Sequence, residues 1–189
     1  MIINREWAMP NSNAFSMDCV GALIDRHVIR TDGVCIDPFA NSNTYAGITN
    51  DLDPQFDTDY NLDALEFLKI FEDHYVNSVL FDPPYSPRQV SECYKRLDMT
   101  VDMQTTQSSF WGDLKKEIGR IVVPGGKVIT FGWNSGGIGE KYGFEIIEIL
   151  LIAHGGWHND TIITVEQKSN QTEMLLKPPK LEKLKWNHR

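Results

Sequence analysis

The chain has 189 residues and a mass of 21.6 kDa, the size of one domain. Hydrophobic residues at 41% and charged residues at 23% are ordinary globular values, and they exclude a wholly disordered, collagenous or low-complexity protein. The formal charge of −8 makes the body a poor non-specific binder of nucleic acid, since cations on phosphates supply most of that affinity.

The charge is uneven. The segment 177–189 holds five Lys and Arg against one Glu, so it reads as a basic tail after a body spanning 1–176. No run approaches the roughly 18 apolar residues of a membrane helix. The start, MIINREWAMP, lacks the apolar core and cleavage site of a signal peptide. The expectation is a soluble, cytoplasmic protein with no membrane partner. Cys19, Cys35 and Cys93 form no CxxC pair and read as free thiols rather than metal ligands or a redox site.

In chain order, the apolar run at 34–39 ends in Asp37-Pro38-Phe39 and reads as a first strand. Residues 45–52 read as a second strand, ending in Asn50-Asp51. Residues 62–71 place Leu62, Leu65 and Leu68 on one helical face. Residues 77–81 form an apolar run stopped by Asp82-Pro83-Pro84. The segment 86–109 is polar and irregular. Residues 110–122 carry Leu114, Ile118, Ile121 and Val122 at helical spacing. Pro124-Gly125-Gly126 reads as a turn into a strand at 127–133. Two further strands, 144–153 and 161–167, read as an antiparallel hairpin at one sheet edge. The connection between them contains His154 and His158, whose spacing in a Gly-rich loop reads as a surface turn with no metal.

Alternating strands and helices predict an α/β domain with a mostly parallel sheet. Such sheets bind ligands beyond the carboxyl ends of the strands, where strand order reverses. Three strand candidates end in acidic punctuation there: Asp37, Asp51 and Asp82. No GxGxxG or GxxxxGK[ST] is present, so a dinucleotide or P-loop site is not indicated.

Asp82-Pro83-Pro84-Tyr85 carries the clearest chemistry. Two prolines fix φ and remove two backbone donors, making a rigid turn. A carboxylate and a proline carbonyl held at such a turn can both accept from an exocyclic amine. An aromatic ring beside them can stack on the base, at about 1–3 kcal/mol per base.

This motif resembles the catalytic motif of the S-adenosylmethionine-dependent amino-methyltransferases, which act on adenine N6 or cytosine N4. Other segments fall in that family's order, over about residues 7–167, and most resemble its small phage or prophage forms. The resemblance implies a single Rossmann-like methyltransferase domain with S-adenosylmethionine as cofactor. It assigns cofactor contacts to Asn11, Ser12, Asn13 and Phe15 upstream, to the loop Asp37-Pro38-Phe39-Ala40, to Asp51 for the ribose hydroxyls, and to Asp63 and Ala64 at the next helix. It assigns catalysis to Asp82, Pro83, Pro84 and Tyr85, with Asp82 also facing the cofactor. It implies adenine in DNA as substrate, with RNA adenine or cytosine N4 as the neighbouring chemistry. The loop after Asp37 departs from the pattern, running Ala40-Asn41-Ser42-Asn43-Thr44 with no glycine before Gly47. No separate target-recognition domain fits. Base selection falls to 86–111 and the tail, or to a second copy or partner subunit.

Overall fold

The computed structural model describes residues 1–9, 13–28, 33–84, 108–156 and 159–170, with five isolated positions between 88 and 97. A seven-stranded sheet organises them, in the order β1-β6-β7-β5-β4-β2-β3. The strands are β1 (Ile2–Trp7), β2 (Cys35–Asp37), β3 (Ile48–Thr49), β4 (Val76–Phe81), β5 (Val122–Gly132), β6 (Phe144–Ala153) and β7 (Thr161–Lys168). All neighbours pair in parallel except β7, which runs antiparallel to both β5 and β6.

Alternation along the central strands gives each face its own core. Ile36, Val79, Phe81 and Val128 point to one face. Cys35, Leu80, Ile129 and Phe131 point to the other. On the first face lie α2 (Ala64–Lys69) and α3 (Ser108–Ile121), which bury Phe67, Leu68, Leu114, Ile118 and Ile121 completely. Each such side chain contributes about 1.5–3 kcal/mol by leaving water. On the second face α1 (Asp18–His27) buries Val20, Leu23 and Ile24, spaced by three and one. Asp18 in its first turn and Arg26 and His27 in its last complement the helix dipole.

Several elements differ from the sequence expectation. The predicted second strand shrinks to two residues of β3, prolonged by a parallel bridge between Asn50 and Tyr60. The chain is held there by side-chain bonds more than by a ladder. The expected turn at Pro124-Gly125-Gly126 is instead a bulge inside a longer β5. Val76 pairs with Val122 and Ser78 with Lys127, so five steps on β5 face two on β4. Glycine is required at the bulge. Gly125 has φ 80, and a Cβ on Gly126 would sit 2.7 Å from Val122 Cγ1 and 2.9 Å from the Asn77 carbonyl.

The strands at 144–153 and 161–167 do form an antiparallel pair, but the hairpin is not the sheet's outermost part. β7 inserts between β6 and β5, and β1 covers the outer side of β6. β1 was not legible as a strand because all six of its residues are exposed. Among the described residues, no helix is long and apolar enough to cross a membrane.

Candidate active site

β3 lies on one side of β2 and β4 lies on the other. Strand order therefore reverses between β2 and β4, which opens a crevice at their carboxyl ends. Asp37 closes β2, and Asp82 follows β4 directly. Asp51 follows the Asn50 bridge beyond β3. The three acids predicted from the sequence thus meet at one pole of the sheet.

Asp37 is fully buried. Its Oδ1 accepts from the Phe39 backbone N–H at 2.9 Å and its Oδ2 from the Asn43 amide at 2.8 Å. Burial pushes its carboxyl up to about 8, and the charges of Asp82 and Asp51 push the same way against the two hydrogen bonds. Asp82 and Asp51 therefore lie within electrostatic reach of Asp37.

The loop after β2 is built on side-chain amides. Asn43 N donates to the Ala40 carbonyl at 2.7 Å, and its Oδ1 accepts from Tyr45 N at 2.9 Å. Asn41 takes φ 52, the left-handed region that glycine usually fills, and its N–H donates to Asp51 Oδ2 at 2.9 Å. Asp51 Oδ1 accepts from Asp53 N at 2.9 Å. Asp53 is itself buried and bound to the backbone and side chain of Gln55.

Asn50 ties the segments together. Fully buried, it donates from Nδ2 to the carbonyls of Pro38 at 3.1 Å and Leu62 at 3.0 Å, and accepts from Leu62 N at 3.0 Å. Its backbone accepts from Ala40 N and donates to the Asp37 carbonyl, both at 2.9 Å. Leu62 leads directly into Asp63, whose Oδ1 caps α2 on Leu65 N at 2.9 Å. Ala64 buries its methyl group in the core below. Asn43 and Asn50 were not expected as site residues, although Asn50 stands beside Asp51 in the strand-end pair. The only signal is a run of asparagines where a ligand loop would carry glycine.

The upstream segment reaches the same pole. Asn13 accepts from Phe15 N at 3.1 Å and starts the 3-10 turn Ala14–Ser16. Phe15 packs 4.5 Å from Phe131 and 6.0 Å from Tyr45, centroid to centroid, which seats the turn against the loop after β2. The Phe15 ring is thereby a core side chain.

Pro83 is buried, Asp82 and Pro84 are half-buried, and Trp133 stands half-exposed just past β5 at this pole. Asn11, Ser12, Tyr85, Cys93, His158, most of 86–107 and the tail from 171 onward lie outside the described residues. Trp111 and Phe110 pack edge to face at 5.5 Å, with Phe110 against the core. His154 is more than a surface turn. It is buried, with Nδ1 2.9 Å from the Ala8 carbonyl and Nε2 2.8 Å from Thr161 Oγ1, fastening the end of β1 to the start of β7.

Solved methyltransferases share this architecture. TrmN from Thermus thermophilus matches with a TM-score of 0.50 and 16% identity, over 78% of this chain and 47% of its own. The chain thus spans about half the length of TrmN. The yhhF protein of Escherichia coli, assigned as a methyltransferase, matches with a TM-score of 0.50 and 10% identity, over 87% of this chain and 92% of its own. No family model and no curated protein sequence matches the chain. The fold is therefore the Rossmann-like methyltransferase fold, and at these identities the likeness speaks for fold alone.

Proposed function

We propose that the protein is an S-adenosylmethionine-dependent methyltransferase acting on the N6 amine of adenine in DNA. The observation that carries this reading is the convergence of Asp37, Asp51 and the Asp82-Pro83-Pro84 turn at one crevice, on a methyltransferase fold. The donor and acceptor set suits the cofactor. Asp51, held in place by the backbone N–H groups of Asn41 and Asp53, is the kind of group that accepts from vicinal ribose hydroxyls. The Asp37-Pro38-Phe39-Ala40 loop, held by Asn50, forms the floor beside it. By the family resemblance, Asp63 and Ala64 would border the cofactor on a third side, and Asn11, Ser12, Asn13 and Phe15 would belong to the segment over its methionine end.

S-adenosylmethionine supplies, when bound, a methyl group on a sulfonium. The chain's own work is to hold the acceptor. The target base leaves the duplex stack to reach the crevice. Asp82 and the Pro83 carbonyl accept the two N–H bonds of the amine and turn its lone pair outward, while Tyr85 stacks on the base. Orientation and fixed dipoles then lower the barrier without a covalent enzyme intermediate. The amine nitrogen would gain the methyl as the methyl's bond to sulfur breaks and leaves a neutral thioether, and the amine's lost proton would pass to solvent.

The acidic body favours a second reading, in which a partner subunit provides the nucleic-acid contact. One experiment separates them. The purified chain is incubated with methyl-labelled S-adenosylmethionine and unmodified DNA, which is then digested to nucleosides. Label in N6-methyladenine, lost in Asp82→Ala with cofactor binding retained, supports the first reading. Cofactor binding without label supports the second or an RNA substrate. Near-normal turnover by Asp82→Ala overturns the mechanism.

A further inference from the structure

A second cleft lies at the opposite pole of the sheet, where β4, β5 and β6 begin and β7 ends. It encloses about 370 Å³, within the size range of small-molecule sites. His74, Lys116, Arg120, Lys141, Tyr142 and Lys168 line it, and no acidic residue does. Such a concentration of cations stands out in a chain of net charge −8.

Two of the cations form fixed walls. Arg120 is neutralised, donating to Asp73 at 2.7 Å, to Glu117 at 2.8 Å and to the Phe71 carbonyl at 2.9 Å. Lys168 Nζ donates to the carbonyls of Gly119 at 2.6 Å and Val122 at 2.7 Å, where its charge offsets the negative end of α3. Its third proton meets His74 Nδ1 at 3.3 Å, yet the same nitrogen lies 3.2 Å from the Val122 carbonyl. Nδ1 cannot accept from one and donate to the other. If it donates, Lys168 keeps an N–H without an acceptor. If it accepts, the ring proton sits on Nε2. Either tautomer leaves one N–H of this exposed pair to solvent or a ligand.

Lys116 and Lys141 stand exposed on the rim. Among the described residues, neither has a carboxylate within ion-pair distance, and Lys141 Nζ rests 5.2 Å from the Tyr142 ring centroid. Two exposed ammonium groups beside the Lys168–His74 pair suit a compact ligand of multiple negative charge and several acceptor oxygens. We propose that this cleft binds a phosphate group, as a free or nucleotide phosphate or as part of a nucleic-acid backbone. A phosphate meets these donors with charge-assisted bonds that a neutral ligand cannot make. The proposal is independent of the methyl-transfer reading, since the two sites lie at opposite ends of the strands.

The test uses the full chain and the double variant Lys116→Glu/Lys141→Glu, whose exposed positions leave the fold intact by circular dichroism and melting. Calorimetry at low salt is run with inorganic pyrophosphate and, separately, with a single-stranded oligonucleotide. Pyrophosphate binding that weakens about tenfold or more in the variant supports a free-phosphate site. Binding of the oligonucleotide alone, with the same loss, assigns the phosphate to a nucleic acid. If neither probe binds, or if the variant binds both as the parent does, the proposal is wrong. Unchanged S-adenosylmethionine binding in the variant separates this outcome from any failure at the other pole.

Discussion

Asn43 donates its side-chain amide to the carboxylate of Asp37 at 2.8 Å, with both side chains buried. The bond does not keep Asp37 ionised at low pH, because burial holds its carboxyl near 8 against an ordinary 3.8. The folded protein therefore binds more protons than the unfolded chain between those values. Stability from this group is complete below about pH 4 and drains away as pH rises through 8. The slope approaches about 1.4 kcal/mol per pH unit at most. Urea midpoints from pH 5 to 8.5 should fall for the parent, and Asp37→Asn should flatten the curve. Parallel curves for the two proteins would sink this account.

Glu148 on β6 has the opposite sign. Burial pulls its carboxyl upward. Hydrogen bonds from His27 at 2.7 Å, Arg26 at 2.8 Å and Asn4 at 2.8 Å outweigh that and leave it below the ordinary 4.5. Its contribution is present above about pH 4.5 and is lost as pH falls through the lowered value. Since it pins both β1 and α1 to β6, Glu148→Gln should cost about 1–3 kcal/mol at pH 7 and make the acid limb shallower. Denaturant titrations at pH 7 and pH 4 check both halves; an undiminished acid limb would place the acid sensitivity elsewhere.

Asn50 makes a sharper prediction about the site. Asn50→Ala leaves the buried Pro38 carbonyl and the partly buried Leu62 carbonyl and N–H without their partner. A loss of about 2–3 kcal/mol is expected. Asn50→Asp keeps the bond from Leu62 N but sets a carboxylate oxygen against two carbonyls. Both variants should weaken S-adenosylmethionine binding in calorimetry at temperatures where they remain folded. Full affinity in a folded Asn50→Asp protein would show that the loop after β2 does not need this strut.

Much of this was legible in the sequence, for physical reasons that differ by element. β4 and α3 were visible because burial on a sheet face or one helix face forces an apolar pattern, and the acids at the strand ends followed from the fold rule. β1 was not, since an edge strand exposed on both faces has no apolar period to display. α1 was obscured by the small and polar residues that interrupt its apolar stripe. The bulge at Gly125 and Gly126 was visible as chain reversal but not as a register shift inside one strand. Asn43 and Asn50 were invisible as site residues because their role depends on which carbonyls and carboxylates folding brings to them.

The glycine-poor loop can be tested at one position. Asn41 holds φ 52 and presents its N–H to Asp51 Oδ2 at 2.9 Å, so the loop needs the left-handed conformation, not the side chain as such. Glycine adopts that conformation without strain, and Asn41→Gly should stay within about 0.5 kcal/mol of the parent with S-adenosylmethionine affinity unchanged. A β-branched residue cannot, so Asn41→Val should cost about 1–2 kcal/mol and weaken the cofactor by releasing Asp51. Melting and calorimetry on the pair distinguish backbone from side chain. If Asn41→Gly lost the cofactor as fully as Asn41→Val, the Asn41 amide itself would be a ligand group, and asparagine would be doing more here than standing in for glycine.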